Sequence, residues 1–235
     1  MGELILCSHP IAAMPYYIDN ISLNVYSLEE LCYYIENHLY LIEADFMSEE
    51  LCLWIGQELD EKDLAQSLRS VLLGNGSLSD FTELILRSCG YCSEDTIRHI
   101  RSVLLDMQNK SVFECSKIRA DRYMESEKYV KAIHEYQKLL GMEEECKKNP
   151  VLEGNIRHNL GTACAELFLF DEAAANFLNA YRLNQNRESL AACMAACRLA
   201  KKTDILKKYK EEFHVSDEAF KSMSDQWNSV LKSED

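Results

Sequence analysis

Apolar residues recur every three to four positions along most of this chain, the spacing that gathers them on one face of an α-helix. The first such stripe is Leu28, Leu31, Ile35 and Leu39, and Ser27 with Glu30 three positions later predicts a capping box at its start. A second helix is expected from about Ser48 (Leu51, Trp54, Ile55, Leu59) and a third from about Glu61 (Leu64, Leu68, Val71, Leu72), stopped by Gly74-Asn75-Gly76. Ser77 or Ser79 caps a fourth (Phe81, Leu84, Ile85) that ends at Gly90, and Ser93 caps a fifth (Ile97, Ile100, Val103, Leu104, Met107). Residues 1–26 follow another rule. Pro10, Pro15 and the alternation of Ile21, Leu23 and Val25 predict an extended lead-in with a short strand.

Composition supports helices. With 8 Gly and 3 Pro in 235 residues, turn formers are far too few for an all-β sandwich, and 47% apolar residues are enough to build a core. The net charge of −14 repels phosphate backbones and anionic membranes, so nucleic acid and membrane partners are not expected. The charge is uneven: residues 1–110 hold 6 Lys/Arg and 18 Asp/Glu, and residues 111–235 hold 19 and 21. This shift, near Lys110, divides an acidic N-terminal helical region, 1–110, from a second region, 111–235. Glu3 stands where a signal peptide needs a basic residue, Leu6 where a myristoylation site needs Ser or Thr, and no apolar run reaches membrane-spanning length. Ten scattered cysteines without a secretory signal fit reduced thiols and a cytoplasmic location.

The second region repeats itself. Ala132, Tyr136 and Leu139 follow a helix with Ala120 and Tyr123; Ala173, Phe177 and Ala180 follow one with Leu160, Gly161 and Cys164, at an offset of 41. This pattern resembles the tetratricopeptide repeat, a unit of about 34 residues with a Leu-Gly pair in helix A and a small residue, an aromatic and an alanine in helix B. The unit from Gly154 to Arg187 matches at Leu160, Gly161, Ala173, Phe177 and Ala180, with Cys164, Arg157 and Gln185 replacing the usual Tyr, Trp and Pro. The unit from about Phe113 to Cys146 keeps Tyr123, Ala132 and Tyr136, and extra residues around Lys147 to Glu153, Pro150 among them, lengthen the offset. A third unit from Glu188 (Ala191, Met194, Ala195, Leu199) is degenerate, with Lys207 and Glu211 at the small and aromatic positions. A final helix, Ser216 to Leu231 with Phe220, Met223 and Trp227, reads as a cap. The chain as a whole is similar to small tetratricopeptide proteins of Firmicutes, a resemblance that supplies no activity.

The resemblance implies an all-α fold, a right-handed superhelical array of antiparallel helix pairs (a TPR-like α-solenoid). It also implies a concave groove that binds a protein or peptide segment. Its register places Lys117, Asp121, Asn155, His158, Asn159, Thr162 and Ser189 on the groove. Members that clamp a C-terminal carboxylate use lysine and asparagine there; Lys117 and Asn159 fit two such positions, while Asp121, Ser189 and Cys193 do not fit the others. The N-terminal helices are either divergent units of the same superhelix or a separate array.

Catalytic signatures are sparse. Cys89-Gly90-Tyr91-Cys92 has redox spacing, but it falls between two predicted helices with no strand before it, so it reads as a structural turn. Cys89, Cys92 and His99, or Cys193 with Cys197, lack a second compact pair at zinc-finger spacing, and they read as packed thiols. His9, beside Pro10, reads as a turn residue, and Glu143-Glu144-Glu145 with Lys147-Lys148 as a solvated helix end and loop. The expectation is an adaptor without catalytic activity, cofactor or metal; the alternatives are an assembly subunit or a thiol-disulfide exchanger using Cys89 and Cys92. Any basic partner is expected on the acidic N-terminal helices.

Overall fold

Serines start four helices, because each offers a short side-chain oxygen to amides that a first helical turn leaves unpaired. Ser27, Ser48, Ser77 and Ser93 accept from the amides of Glu30, Leu51, Asp80 and Thr96. They open α1 (Leu28–Asn37), α2 (Glu49–Gln57), α4 (Leu78–Cys89) and α5 (Glu94–Gln108), with α3 (Lys62–Leu73) between α2 and α4. The structure, a computed structural model, describes residues 9–218 and 220. The reciprocal capping box forms at Ser77 with Asp80. At Ser27 the expected box is displaced, for the Glu30 carboxylate accepts from the Tyr26 amide, at 2.6 Å. Gly90 ends α4 in the left-handed conformation, φ 67°.

The chain divides into two compact units, 1–111 and 112–235. In the first, the lead-in forms a hairpin of two strands, β1 (Tyr16–Ile18) and β2 (Leu23–Val25), paired antiparallel with Tyr16 opposite Val25. Val25, next to α1, is buried, while Leu23, at the turn end, is exposed. The hairpin and lead-in are fastened to the helices by polar contacts. Trp54 Nε1 donates to the Met14 carbonyl at 2.8 Å, and Asn20 Nδ2 donates to Tyr34 Oη at 2.6 Å and the Leu41 carbonyl at 2.8 Å. Tyr34, Phe46 and Phe81 form a chain of tilted and edge-on ring contacts at the centre, among Leu28, Leu31, Ile35, Leu51, Ile55, Leu68 and Ile85. The apolar stripes of the sequence therefore become one core.

The second unit is helical throughout its described residues: α6 (Val112–Glu125), α7 (Tyr129–Gly141), α8 (Glu143–Lys148), α9 (Pro150–Glu166), α10 (Phe170–Asn184), α11 (Arg187–Leu199) and α12 (Thr203–Glu212). The residues expected as a helix end and loop instead build a short helix, α8, whose Lys147 and Lys148 pair with Glu143, Glu144 and Glu145 one turn back. Asn149 caps α9 and Pro150 occupies its first turn, where its missing N–H costs nothing. The long helices pack in sequence, α6 on α7, α7 on α9, α9 on α10, α10 on α11 and α11 on α12. A Cβ on Gly161 would lie 2.8 Å from the Phe177 ring, so this glycine is what allows α9 and α10 to approach.

One turn closes five helices among the described residues: it ends α3 at Asn75 and α12 at His214, and it makes three junctions within the second unit. Between α6 and α7, α9 and α10, and α11 and α12, the residues Glu127, Phe168 and Lys201 adopt left-handed φ of 57°, 60° and 59°. In each case the next amide reaches back five residues, Lys128 to the Tyr123 carbonyl, Leu169 to Cys164 and Lys202 to Cys197, at 2.8–2.9 Å. This is the Schellman closure of a helix C-terminus, made here without glycine. Phe168 and Lys201 are 33 residues apart, so Leu206 and Lys210, both half-buried, stand as far beyond their turn as Ala173 and Phe177 do beyond theirs, while Lys207 and Glu211, expected from sequence at those places, are exposed. Of the helix expected from Ser216 to Leu231, Met223, Trp227 and Leu231 lie outside the described residues.

Candidate functional site

The predicted groove residues come from α6, α9 and α11, and the structure sorts them into three groups. Lys117 and Asp121 stand one turn apart on α6, and the ammonium donates to Asp121 Oδ2 at 2.6 Å. The other carboxylate oxygen of Asp121 accepts from Tyr136 Oη of α7 at 2.7 Å and, more distantly, from Asn159 Nδ2 of α9 at 3.4 Å. Asn159 also donates to Tyr136 Oη at 3.3 Å. Four side chains from three helices thus share one half-buried network. Burial, with the Asp121 carboxylate beside it, holds the Tyr136 hydroxyl protonated far above the usual tyrosine range.

His158 and Thr162 form the second group. His158 Nδ1 lies 2.9 Å from the hydroxyl of Ser189, a fully buried residue of α11, and its ring tilts against Phe177 at 5.2 Å. Burial lowers the His158 pKa below 6.5, so the neutral ring is the stable form near pH 7. Thr162 returns its hydroxyl to the His158 carbonyl at 3.2 Å. Asn155 stands apart from both groups: it is exposed and accepts from Asn184 of α10 at 3.0 Å.

This geometry changes the chemistry expected of the groove. Lys117 is neutralised by Asp121 and Asn159 is engaged with Tyr136, so the two residues that fit a carboxylate clamp present no net positive charge to an anionic chain end. What remains are two polar clusters, Asp121 with Tyr136 and Asn159, and His158 with Ser189, each held by hydrogen bonds between helices. In the sequence Tyr136 reads only as a core aromatic. The signal for more was its hydroxyl, since a buried tyrosine needs a polar partner where the equivalent Phe177 does not. A hollow of about 580 Å³ beside α12, lined by Leu206, Lys207, Lys210, Glu211 and Val215, contains none of the groove residues.

The Cys89-to-Cys92 segment is the turn that its spacing and caps predict, but its chemistry lies elsewhere. Cys89 meets Cys32 of α1, whose thiol hydrogen can be directed to the Cys89 sulfur or to the Ile85 carbonyl 3.8 Å away. That hydrogen bond holds Cys89 below the usual thiol range, whereas burial pushes Cys92 up to about 11. His99 is exposed on α5 and apart from them. His9 lies at a bend, as expected, and also sets Nδ1 2.9 Å from Glu29 Oε1, and the hydrogen bond raises the imidazole pKa. No protein-family model, curated protein or solved structure matches this chain.

Proposed function

We propose that the second unit is a tetratricopeptide-like stack of antiparallel helix pairs that docks an extended segment of another protein along the polar residues of α6 and α9. The observation that supports this most is that α6 and α7, α9 and α10, and α11 and α12 are joined by the same short turn, with one left-handed residue and one five-residue hydrogen bond, a closure that also ends α3 and α12. A repeated turn gives a repeated crossing, and stacked crossings leave the first helices side by side. Lys117, Asp121, His158, Asn159 and Thr162 then line one surface, already held in place, so that a ligand meets little ordering cost there. The neutral Lys117–Asp121 pair favours a ligand that offers backbone amides and carbonyls rather than a free carboxylate. No reaction chemistry is assigned to this surface; its role is docking, in an adaptor.

The test is selection of displayed peptides on the immobilised chain, followed by titration of the enriched sequences. The double variant Lys117→Ala, Asn159→Ala is expected to weaken their binding at least about tenfold, an amount equal to roughly 1.4 kcal/mol. Undiminished binding by a variant with wild-type circular dichroism rejects the groove. A second reading, a subunit of an oligomeric assembly, is favoured by exposed Val130, Phe168, Leu169 and Leu199, which all sit beside the three repeated turns. Light scattering separates the two: an assembly that dissociates on Phe168→Ser would support the second.

A further inference from the structure

We propose that His9, Glu29 and Cys89 form a site in the N-terminal unit for a divalent transition-metal ion of the zinc class. One ligand atom from each residue lies within 4.8 Å of the others: a ring nitrogen, a carboxylate oxygen and a sulfur. In a tetrahedral zinc site, bond lengths of about 2.0–2.3 Å put ligand atoms roughly 3.3–3.7 Å apart, so closure needs movements on the order of 1 Å, within reach of side-chain rotation. The three come from three different segments. His9 belongs to the lead-in, Glu29 to the first turn of α1, and Cys89 is the last residue of α4.

The setting favours a ligand site over a surface ion pair. Acids are common in the first turn of a helix, where the dipole favours them, but they are rarely buried. The Glu29 side chain retains only 7% of its exposure, and it stands beside two thiols. Cys32 is one turn further along the same face of α1 and wholly buried, and its S–H donates to the Ile85 carbonyl of α4 at 3.8 Å, one turn before Cys89. The His9 ring, at 19% exposure, leaves a path from solvent to the cluster. The donor set selects the ion: sulfur and imidazole suit zinc, cobalt and cadmium and are poor ligands for magnesium and calcium. With three protein ligands the fourth position is left to water, and the ion would bind the lead-in to α1 and α4.

Cobalt substitution tests this directly. The full chain, reduced and stripped with chelator, is titrated with Co²⁺ and followed by the thiolate-to-cobalt charge-transfer band and the visible bands of tetrahedral cobalt. The expected result is one equivalent per chain, displaced by Zn²⁺, with the charge-transfer band lost in Cys89→Ser and retained in a Cys193→Ser, Cys197→Ser double variant. His9→Ala is expected to weaken binding at least about a hundredfold. His9 is on the lead-in and partly exposed, so His9→Ala still decides the matter if Cys89→Ser fails to fold. A wild-type chain that gives no charge-transfer band, or a band of unchanged affinity in His9→Ala, overturns the proposal.

Discussion

Two glycines separate steric need from conformational need. At Gly161 the demand is space: a Cβ would meet the Phe177 ring at 2.8 Å, and the ring is buried against α9. Gly161→Ala is therefore expected to destabilise the second unit by about 1–3 kcal/mol, as overpacking does, and Phe177→Leu in the same chain should restore part of the loss. Gly90 has open space around its Cα but a φ of +67°, so Gly90→Ala should cost about 1–2 kcal/mol through backbone strain alone, with no rescue by any neighbour. Urea unfolding of the variants measures both. His158 supplies a pH dependence of definite sign. Its pKa is lowered by burial in the folded chain and close to 6.5 in the unfolded one, so the unfolded chain binds the extra proton first. Stability tied to His158 is fully present above about pH 6.5, falls as the pH drops through the lowered folded value, and then levels off. Subtracting the pH profile of His158→Gln from that of the wild type isolates this slope; a difference that stays flat below pH 6.5 contradicts the burial of a neutral ring.

The helix-to-helix turn is the element on which the fold of the second unit depends, and glycine-free left-handed residues make it. A non-glycine residue in that conformation costs about 1–2 kcal/mol, while glycine gives back about 0.5–1 kcal/mol in unfolded-chain entropy. Glu127→Gly and Lys201→Gly should therefore each stabilise the chain by a few tenths to about 1 kcal/mol, whereas Pro at either position, confined to negative φ, should unfold the pair. Thermal melts read both. The same turn shows what the sequence made legible. Helix starts were readable because serine caps act through bonds three residues away, and so were the packing positions Ala173, Phe177 and Gly161, because side-chain size alone decides them. The turns were not, since Glu127, Phe168 and Lys201 carry no mark of left-handed backbone, and it is the turn at Lys201 that sets Leu206 and Lys210, and not Lys207 and Glu211, at the distances that Ala173 and Phe177 keep from Phe168. Nor could the sequence show that Asp121 would bond Tyr136, 15 positions away, or that Cys89 would meet Cys32 and not Cys92. Those contacts depend on which helix faces are brought together, which local patterning does not encode.

At the scale of the whole chain the two units differ most in electrostatics. In the N-terminal unit all six cations are engaged: Lys62 with Asp60, Arg69 with Glu49, Arg87 with Glu83 and Glu94, Arg98 with Asp95, Arg101 with Asp80 and Glu83, and Lys110 with Asp106. These exposed pairs contribute about 0–1 kcal/mol each. Against them stands an excess of 12 acids, 18 less 6, in residues 1–110. Two like charges about 15 Å apart in water repel by roughly 0.3 kcal/mol, and 12 excess charges make on the order of sixty such pairs. Expansion on unfolding relieves about half of that repulsion, so its sum exceeds what six surface pairs return. Salt weakens both terms, and the larger one decides the sign. Raising ionic strength from about 0.01 to 0.15 M shortens the screening length from about 30 to 8 Å and should stabilise the N-terminal unit. The second unit, with 19 cations against 21 acids, should respond far less. Hydrogen exchange followed by mass spectrometry resolves the two units by peptide in one sample. Protection that rises with salt in peptides before residue 111 and stays level in those after it is the expected outcome; equal responses would mean that the paired cations, and not the excess acids, govern the stability of the N-terminal unit.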